Sequence, residues 1–233
     1  MAFSGGVDSS YLLYAAKQCG ADVMAIYVKS RFQPQFEYDD AMRLARELGV
    51  SVKVLHLDAL SDERVARNPA NRCYFCKLNI FSAIISAAKA EGFTEIADGT
   101  NASDDAGDRP GMVALKELKV LSPLRLCGLT KDEIRRLSRE AGLFTWDKPA
   151  YACLATRIRT GQEITNEALE NTEKAESFLF SLGFTDFRVR LVGDLARIQI
   201  PADQFPLILE NRETVLEKLK PMYKAVCLDL EAR

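Results

Sequence analysis

The chain has 233 residues, 48% of them hydrophobic and 27% charged, with 31 Lys plus Arg against 33 Asp plus Glu. That apolar content excludes intrinsic disorder, and the net charge of −2 excludes a global basic field for nucleic acid. At roughly 150 residues per domain, the length fits one large domain or one domain with a small appendage. No apolar window reaches the length of about 18 residues that a membrane span needs, and Met1 to Gly6 lack the basic flank and apolar core of a secretory signal. The expectation is a cytosolic, membrane-free protein. In that compartment its six cysteines read as ligands, nucleophiles or buried apolar residues rather than a disulfide framework.

In chain order, the first candidate strand is Met1 to Phe3, shorter than the usual five or six residues, and a glycine loop follows it. Short β-branched or apolar runs at 22–28, 51–57, 94–98 and 119–121 predict buried strands. Between them, 34–48 carries the helical stripe Ala41, Leu44, Ala45, Leu48 and stops at Gly49, and 78–88 predicts a second helix. Thr130 and Glu133 form a capping box before Ile134, Leu137 and Ala141, with Gly142 as the stop. This alternation predicts an α/β fold, a parallel sheet with helices on both faces, whose ligands lie beyond the carboxyl ends of the strands. After about residue 158 the pattern changes. A helix at 165–182, a half-buried strand around Phe187, Val189 and Leu191, a hairpin partner at 195–200, a helix at 203–220 and a strand at 222–230 predict a small α+β unit. The expected domains are 1–158 and 159–233.

Ser4, Gly5, Gly6, Val7, Asp8, Ser9 and Ser10 run directly into an apolar helical segment. Glycines let backbone N–H groups turn inward, and the serine hydroxyls and helix N-terminus add donors, so the loop suits an anion. It is not a Walker A loop, because no Gly-Lys-Ser/Thr follows at the required spacing. Asp8 would repel bare phosphate and is assigned to Mg²⁺. Asp98-Gly99-Thr100-Asn101 ends a predicted strand, and Asp104 and Asp105 follow with further carboxylates. The alternative there is an ordinary Asx-rich turn. Ser30, just past the second predicted strand, is a weaker candidate.

Cys73-Tyr74-Phe75-Cys76 stands at the start of a helix, where thiol pKa falls. Cys153 follows 77 residues later. Three thiolates without a fourth suit a 4Fe–4S cluster with one open iron, or a redox pair plus one nucleophile. Zinc would want a fourth ligand, and the lone His56 falls inside a predicted strand. Cys19, Cys127 and Cys227 read as packing residues.

The loop 4–10 resembles that of the PP-loop ATP pyrophosphatases (adenine nucleotide alpha hydrolase-like). Together with Asp98 to Asn101, Arg109-Pro110-Gly111, Lys148-Pro149, the run Ala152 to Arg157, Arg188-Val189-Arg190 and Gly193 to Arg197, it resembles the LarE family, sulfur transferases of nickel-pincer nucleotide cofactor synthesis. The resemblance covers nearly the whole chain. It implies ATP-dependent adenylylation of pyridinium-3,5-biscarboxylic acid mononucleotide and conversion of its carboxylates to thiocarboxylates. ATP and Mg²⁺ would be held by residues 4–10 with Ser30, Gly99, Thr100 and Asn101. Asp104, Arg157, Arg188 and Arg190 would contact the substrate, the last two gripping its phosphate from a polar strand face. In the simplest members a cysteine matching Cys153 gives up its own sulfur. Members that also match Cys73 and Cys76 hold a 4Fe–4S cluster that ferries sulfide, and this chain matches that three-cysteine type. Glu176 is a further candidate polar or metal ligand. A homo-oligomer, a small-molecule nucleotide substrate and a sulfide or cysteine-derived sulfur source are the expected partners, without nucleic acid. The rivals are a tRNA thiolase, a GMP or NAD synthetase, and a non-catalytic nucleotide or iron–sulfur sensor.

Overall fold

The computed structural model describes residues 1–104 and 110–233; the candidate residues Asp105 and Arg109 lie outside them. In chain order the elements are α1 (Val7–Gln18), β1 (Ala25–Lys29), α2 (Gln35–Leu48), β2 (Val52–His56), α3 (Glu63–Ala66), α4 (Arg72–Ala90), α5 (Pro110–Glu117), α6 (Pro123–Leu126) and α7 (Lys131–Glu140). They continue with α8 (Asn166–Ser181), β3 (Arg188–Val192), β4 (Leu195–Gln199), α9 (Phe205–Glu210), α10 (Arg212–Leu219) and β5 (Ala225–Leu228). The chain divides into two compact units, Met1–Ala59 with Asn71–Ala150, and Leu60–Ala70 with Tyr151–Arg233. Cys73 and Cys76 therefore belong to the first unit, and Cys153 and Arg157 to the second.

In the first unit β1 pairs with β2 in parallel, Ala25 opposite Val52. Single parallel bridges carry the ladder further, Ala2 to Ile26 and Ala97 to Leu121, and the Ala2 N–H donates to the Ala97 carbonyl at 2.7 Å. The resulting order of segments is 119–121, 94–98, 1–3, β1, β2. The runs at 94–98 and 119–121 contribute one bridge each rather than full strands, and the strand expected at 22–28 is shifted to Ala25–Lys29. Alternation along β1 sends Ala25 and Tyr27 into a core with Leu13, Leu44 and Ile134, and Ile26 and Val28 into another with Phe81, Ile84 and Leu115. Both faces are covered by helices, as α/β layering requires. The expected stops hold: Gly49 ends α2 at φ +62°, and Thr130 and Glu133 form the capping box of α7. Helix α4 starts six residues before the expected 78, so the two cysteines lie inside its first turns.

In the second unit β3 is antiparallel to β4, and β4 is parallel to β5. Val189, Ala196 and Ile198 point into a core closed by α8 and α10 through Ala175, Leu179, Val215 and Leu219. The helix expected at 203–220 is broken into a 3₁₀ turn (Ala202–Gln204), α9 and α10. Pro206 lacks an N–H and fits only the first turn of a helix, so a new helix starts at Phe205. Asn211 then separates α9 from α10, its side-chain amide donating to the Leu207 carbonyl at 2.9 Å. The segment 60–70 is held in this unit by Asn68, whose amide donates to the carbonyls of Arg159 and Gln162 at 3.0 and 3.2 Å.

Candidate functional site

Reversal of strand order between segments 1–3 and 94–98 creates a crevice in the first unit, and the two loops leaving those segments meet there. A cavity of about 320 Å³ opens at this point, lined by Ser4, Gly6, Asp8, Ser9, Asp98, Gly99, Thr100 and Asp104. Its apolar walls are Ile26, Tyr27 and Val28 of β1 and Ile80, Phe81 and Ile84 of α4, an apolar lining of the kind that takes a planar base. Sequence motifs mark the polar rim but not the α4 wall.

The loop is held from within. Ser9 Oγ donates to the Gly6 carbonyl and lies 3.0 Å from Ser4 Oγ, and the Gly6 N–H reaches Ser4 Oγ. Gly5 has φ +73°, and a Cβ there would lie 2.6 Å from the Ala41 Cβ, so only glycine lets the loop pass α2. Gly99 approaches α1 so closely that a Cβ would meet the Ser9 backbone nitrogen at 2.8 Å. Val7 and Ser10 turn inward, Val7 into the core and Ser10 with a fully buried hydroxyl that has no partner. Ser30 does not line the cavity: its hydroxyl donates to Gln33 Oε1 at 2.7 Å, and Gln33 is the residue that reaches it.

Asp8 stands in the first turn of α1. Its Oδ1 accepts Asn101 Nδ2 at 3.2 Å and its Oδ2 faces Lys131 Nζ at 2.7 Å. Asn101 is buried and acts through Asp8 and Asp104, whose Oδ2 accepts the Asn101 N–H at 2.9 Å. Asp98 is spoken for by Thr100 and Ser122 at 2.6 and 2.8 Å. The oxygen chemistry of Asp8 fits a hard divalent ion of the Mg²⁺ type, which needs only one or two carboxylates when phosphates complete its shell.

Cys73 is exposed and Cys76 half-buried, one turn apart at the start of α4; Lys77, next in sequence, lines the cavity. The six cysteines form no disulfide. Among the described residues of either unit, no three or more His, Cys, Asp or Glu side chains are grouped to hold a metal ion. His56 is exposed at the end of β2.

In the second unit Cys153 caps the 3₁₀ turn Leu154–Arg157, its carbonyl accepting Thr156 N–H and Oγ1. Arg157 is fully buried and grips Glu176 twice, through Nε to Oε1 at 2.8 Å and Nη2 to Oε2 at 3.1 Å, while Nη1 donates to the Ala152 carbonyl. Burial alone would lower its pKa, but the hydrogen bonds and charge of Glu176 outweigh it and hold the guanidinium above its ordinary value. Glu176 also accepts Tyr151 OH and the Val189 N–H at 2.9 Å, so its oxygens are already filled and it is not an open ligand. Burial pushes the Tyr151 phenol up, with the Glu176 charge adding to it.

Arg188 does not stand on an open polar strand face as expected: it is buried, its guanidinium over the Tyr151 ring at 5.2 Å. Arg190 donates to Gln199 and, at 2.9 Å, to the Thr156 carbonyl. Burial, and then the charge of Arg157, pull both Arg188 and Arg190 below the usual guanidinium range. A cavity of about 520 Å³ lies between Arg157, Arg159, Arg190, Arg197 and Gln199. Arg190, lowered by burial and by the charges of Arg157 and Arg197 on the same cavity, stands in a site that an anion relieves. Sequence motifs do not single out Arg197 and Gln199 as site residues, although the alternation that marks β4 places both on the face opposite Ala196 and Ile198.

The family model described as "Queuosine biosynthesis protein QueC" matches residues 1–68. A pyridinium-3,5-bisthiocarboxylic acid mononucleotide synthase of Lactiplantibacillus plantarum is 34% identical over 233 residues, 99% of this chain and 84% of that protein. An uncharacterized protein of Synechocystis sp. is 36% identical over 212 residues, 91% of this chain and 79% of its own length. The tRNA-specific 2-thiouridylase MnmA 2 of Clostridium botulinum is 30% identical over 180 residues, 64% of this chain and 51% of its length. No helix among the described residues is long and apolar enough to cross a membrane.

Proposed function

The chain belongs to the LarE family of ATP-dependent sulfur transferases, and we propose that it converts the carboxylates of pyridinium-3,5-biscarboxylic acid mononucleotide to thiocarboxylates. The observation that carries the reading is the meeting of the loops 4–9 and 98–104 on one cavity at the point where strand order reverses.

ATP would lie with its base between β1 and α4 and its phosphates on the backbone donors of residues 4–9 and the N-terminus of α1. Mg²⁺ on Asp8 would offset phosphate charge. A substrate carboxylate oxygen attacks the α-phosphorus, the bond to the bridging oxygen breaks, and pyrophosphate leaves. The acyl adenylate is then open to a sulfur nucleophile, and AMP departs with the carbon–oxygen bond. Arg190 and Arg197, which line the cavity of about 520 Å³, would hold the substrate's phosphate, and Arg188, buried beside Tyr151, is left out of that grip. Arg157 serves Cys153 by tying the Ala152 carbonyl to Glu176, so its role is positioning rather than substrate contact.

Sulfur delivery is assigned to Cys73, Cys76 and Cys153. A 4Fe–4S cluster on these thiolates would supply an open iron site for sulfide. Anaerobic preparation with iron and sulfide quantification, pyrophosphate release with the pyridinium substrate, and intact mass after turnover test the whole reading. Several turnovers at unchanged mass support a carrier; loss of one sulfur per chain assigns the donor to Cys153 alone. ATP binding without pyrophosphate release would instead make the protein a sensor. The MnmA relatives support a second reading, tRNA thiolation; RNA gel shifts at controlled salt decide it.

A further inference from the structure

We propose that Lys131 is a pyrophosphate-binding residue that occupies the cation position on Asp8 while the nucleotide is absent. This rests on the ATP reading above and adds a residue to it.

Lys131 is anchored at one end and adaptable at the other. Its backbone N–H, at the first position of α7, donates to Ser103 Oγ at 2.9 Å, and the Thr130–Glu133 capping box fixes the helix start around it. Its side chain crosses to the glycine-loop helix, where Nζ lies 2.7 Å from Asp8 Oδ2, and both side chains remain partly exposed at 32% and 23%. The ammonium therefore holds the oxygen that a divalent ion would take.

Charge governs the change on loading. Asp8 lines the cavity at the α1 N-terminus, the place where phosphates are stabilised, so an unneutralised carboxylate there opposes ATP. A divalent cation competes for Asp8 with twice the charge and frees the ammonium. The nearest group then needing a cation is the phosphate tail, and a four-carbon stem fixed at its base lets Nζ turn to it. The base slot is formed by β1 and α4, and Lys131 is not among the residues that line the cavity.

The two roles give opposite signs, which a merely structural lysine would not. In K131A and K131Q, affinity for Mg²⁺–pyrophosphate should fall about tenfold, the loss of one charge-assisted hydrogen bond, with AMP affinity changed less than about twofold. Mn²⁺ titrated alone should bind the same variants more tightly than wild type, because the competing ammonium is gone. K131R should recover most of the pyrophosphate affinity. Unchanged pyrophosphate affinity, an equal loss for AMP, or weaker Mn²⁺ binding would overturn the assignment. Failure of the wild-type chain to bind ATP or pyrophosphate would instead overturn the nucleotide reading itself.

Discussion

The two units assemble polar sites by different means. In the first, the cavity rim is backbone and short side chains from two loops, and one of its charged members, Asp8, remains partly exposed. In the second, a long arginine grips a buried glutamate, with Arg157 and Glu176 both almost wholly out of solvent. The first depends on where the backbone can go, the second on whether each buried charge keeps its partner. Substitutions should therefore fail differently: steric changes should harm binding in one, and charge changes should harm stability in the other.

Glu176→Ala is the severest test. It strips Arg157 of its carboxylate, and Tyr151 and the Val189 N–H of their acceptor, deep in the unit. Breaking a buried pair from one side costs about 3–5 kcal/mol, so the denaturation midpoint should drop accordingly. Replacing both partners with apolar residues, Arg157→Met with Glu176→Leu, should recover much of that loss while still disturbing the Cys153 loop. If the single variant were nearly as stable as wild type, the second unit would not be built on this pair.

Gly99→Ala comes next and acts on the first unit. The added methyl meets the Ser9 nitrogen at 2.8 Å and the Ser9 Cα at 3.0 Å, both backbone atoms that cannot rotate away. Either the 98–101 loop or the start of α1 must shift. Pyrophosphate release should fall about 100-fold through that misplacement, with a smaller change in melting temperature. A variant with normal ATP turnover would show that the close approach is packing alone.

Legibility in the sequence divides along the same line. The glycine loop, the Asp98–Asn101 turn and the capping box are local, so a few adjacent residues specify them; Ser4, Gly6, Asp8, Ser9, Asp98, Gly99 and Thr100 line one cavity, and the capping box forms at Thr130. The α4 wall is not legible, because the 78–88 pattern conceals that Lys77, Ile80, Phe81 and Ile84 share the face toward β1. Period-2 alternation assigns Arg188 to the solvent face, while Tyr151, from far away in sequence, covers it. Likewise Lys131 meets Asp8 across 123 positions, a pairing no spacing rule encodes.

Arg190→Ala should have a moderate effect of unusual sign. Burial, and then the charges of Arg157, Arg197 and Arg233, pull the Arg190 pKa down, so the empty protein gains by losing this guanidinium. It also loses the bonds to Gln199 and to the Thr156 carbonyl, and the opposing changes should leave thermal stability close to wild type. The KM for the pyridinium mononucleotide should rise about tenfold or more, with the ATP KM unchanged. An equal rise in both constants would count against an anion site confined to the second unit's arginines.

Thr130→Ala should have the smallest effect, and it separates scaffold from site within the first unit. Thr130 Oγ1 accepts the Glu133 N–H, and Glu133 returns the bond to the Thr130 N–H at 2.8 Å; both hydrogen bonds are exposed. The Thr130 N–H and, at 2.7 Å, the Thr130 hydroxyl donate to the Glu133 carboxylate and hold it below its usual range. Loss of an exposed cap costs about 1 kcal/mol. Thr130→Ser should behave as wild type, since it keeps the hydroxyl. Because the Lys131 N–H is held separately by Ser103 Oγ, the Asp8–Lys131 pair should survive the loss of the cap. Pyrophosphate affinity should then change less than about twofold, far less than in K131A. A loss as large as that of K131A would mean that the cap, not the ammonium, governs this corner of the cavity.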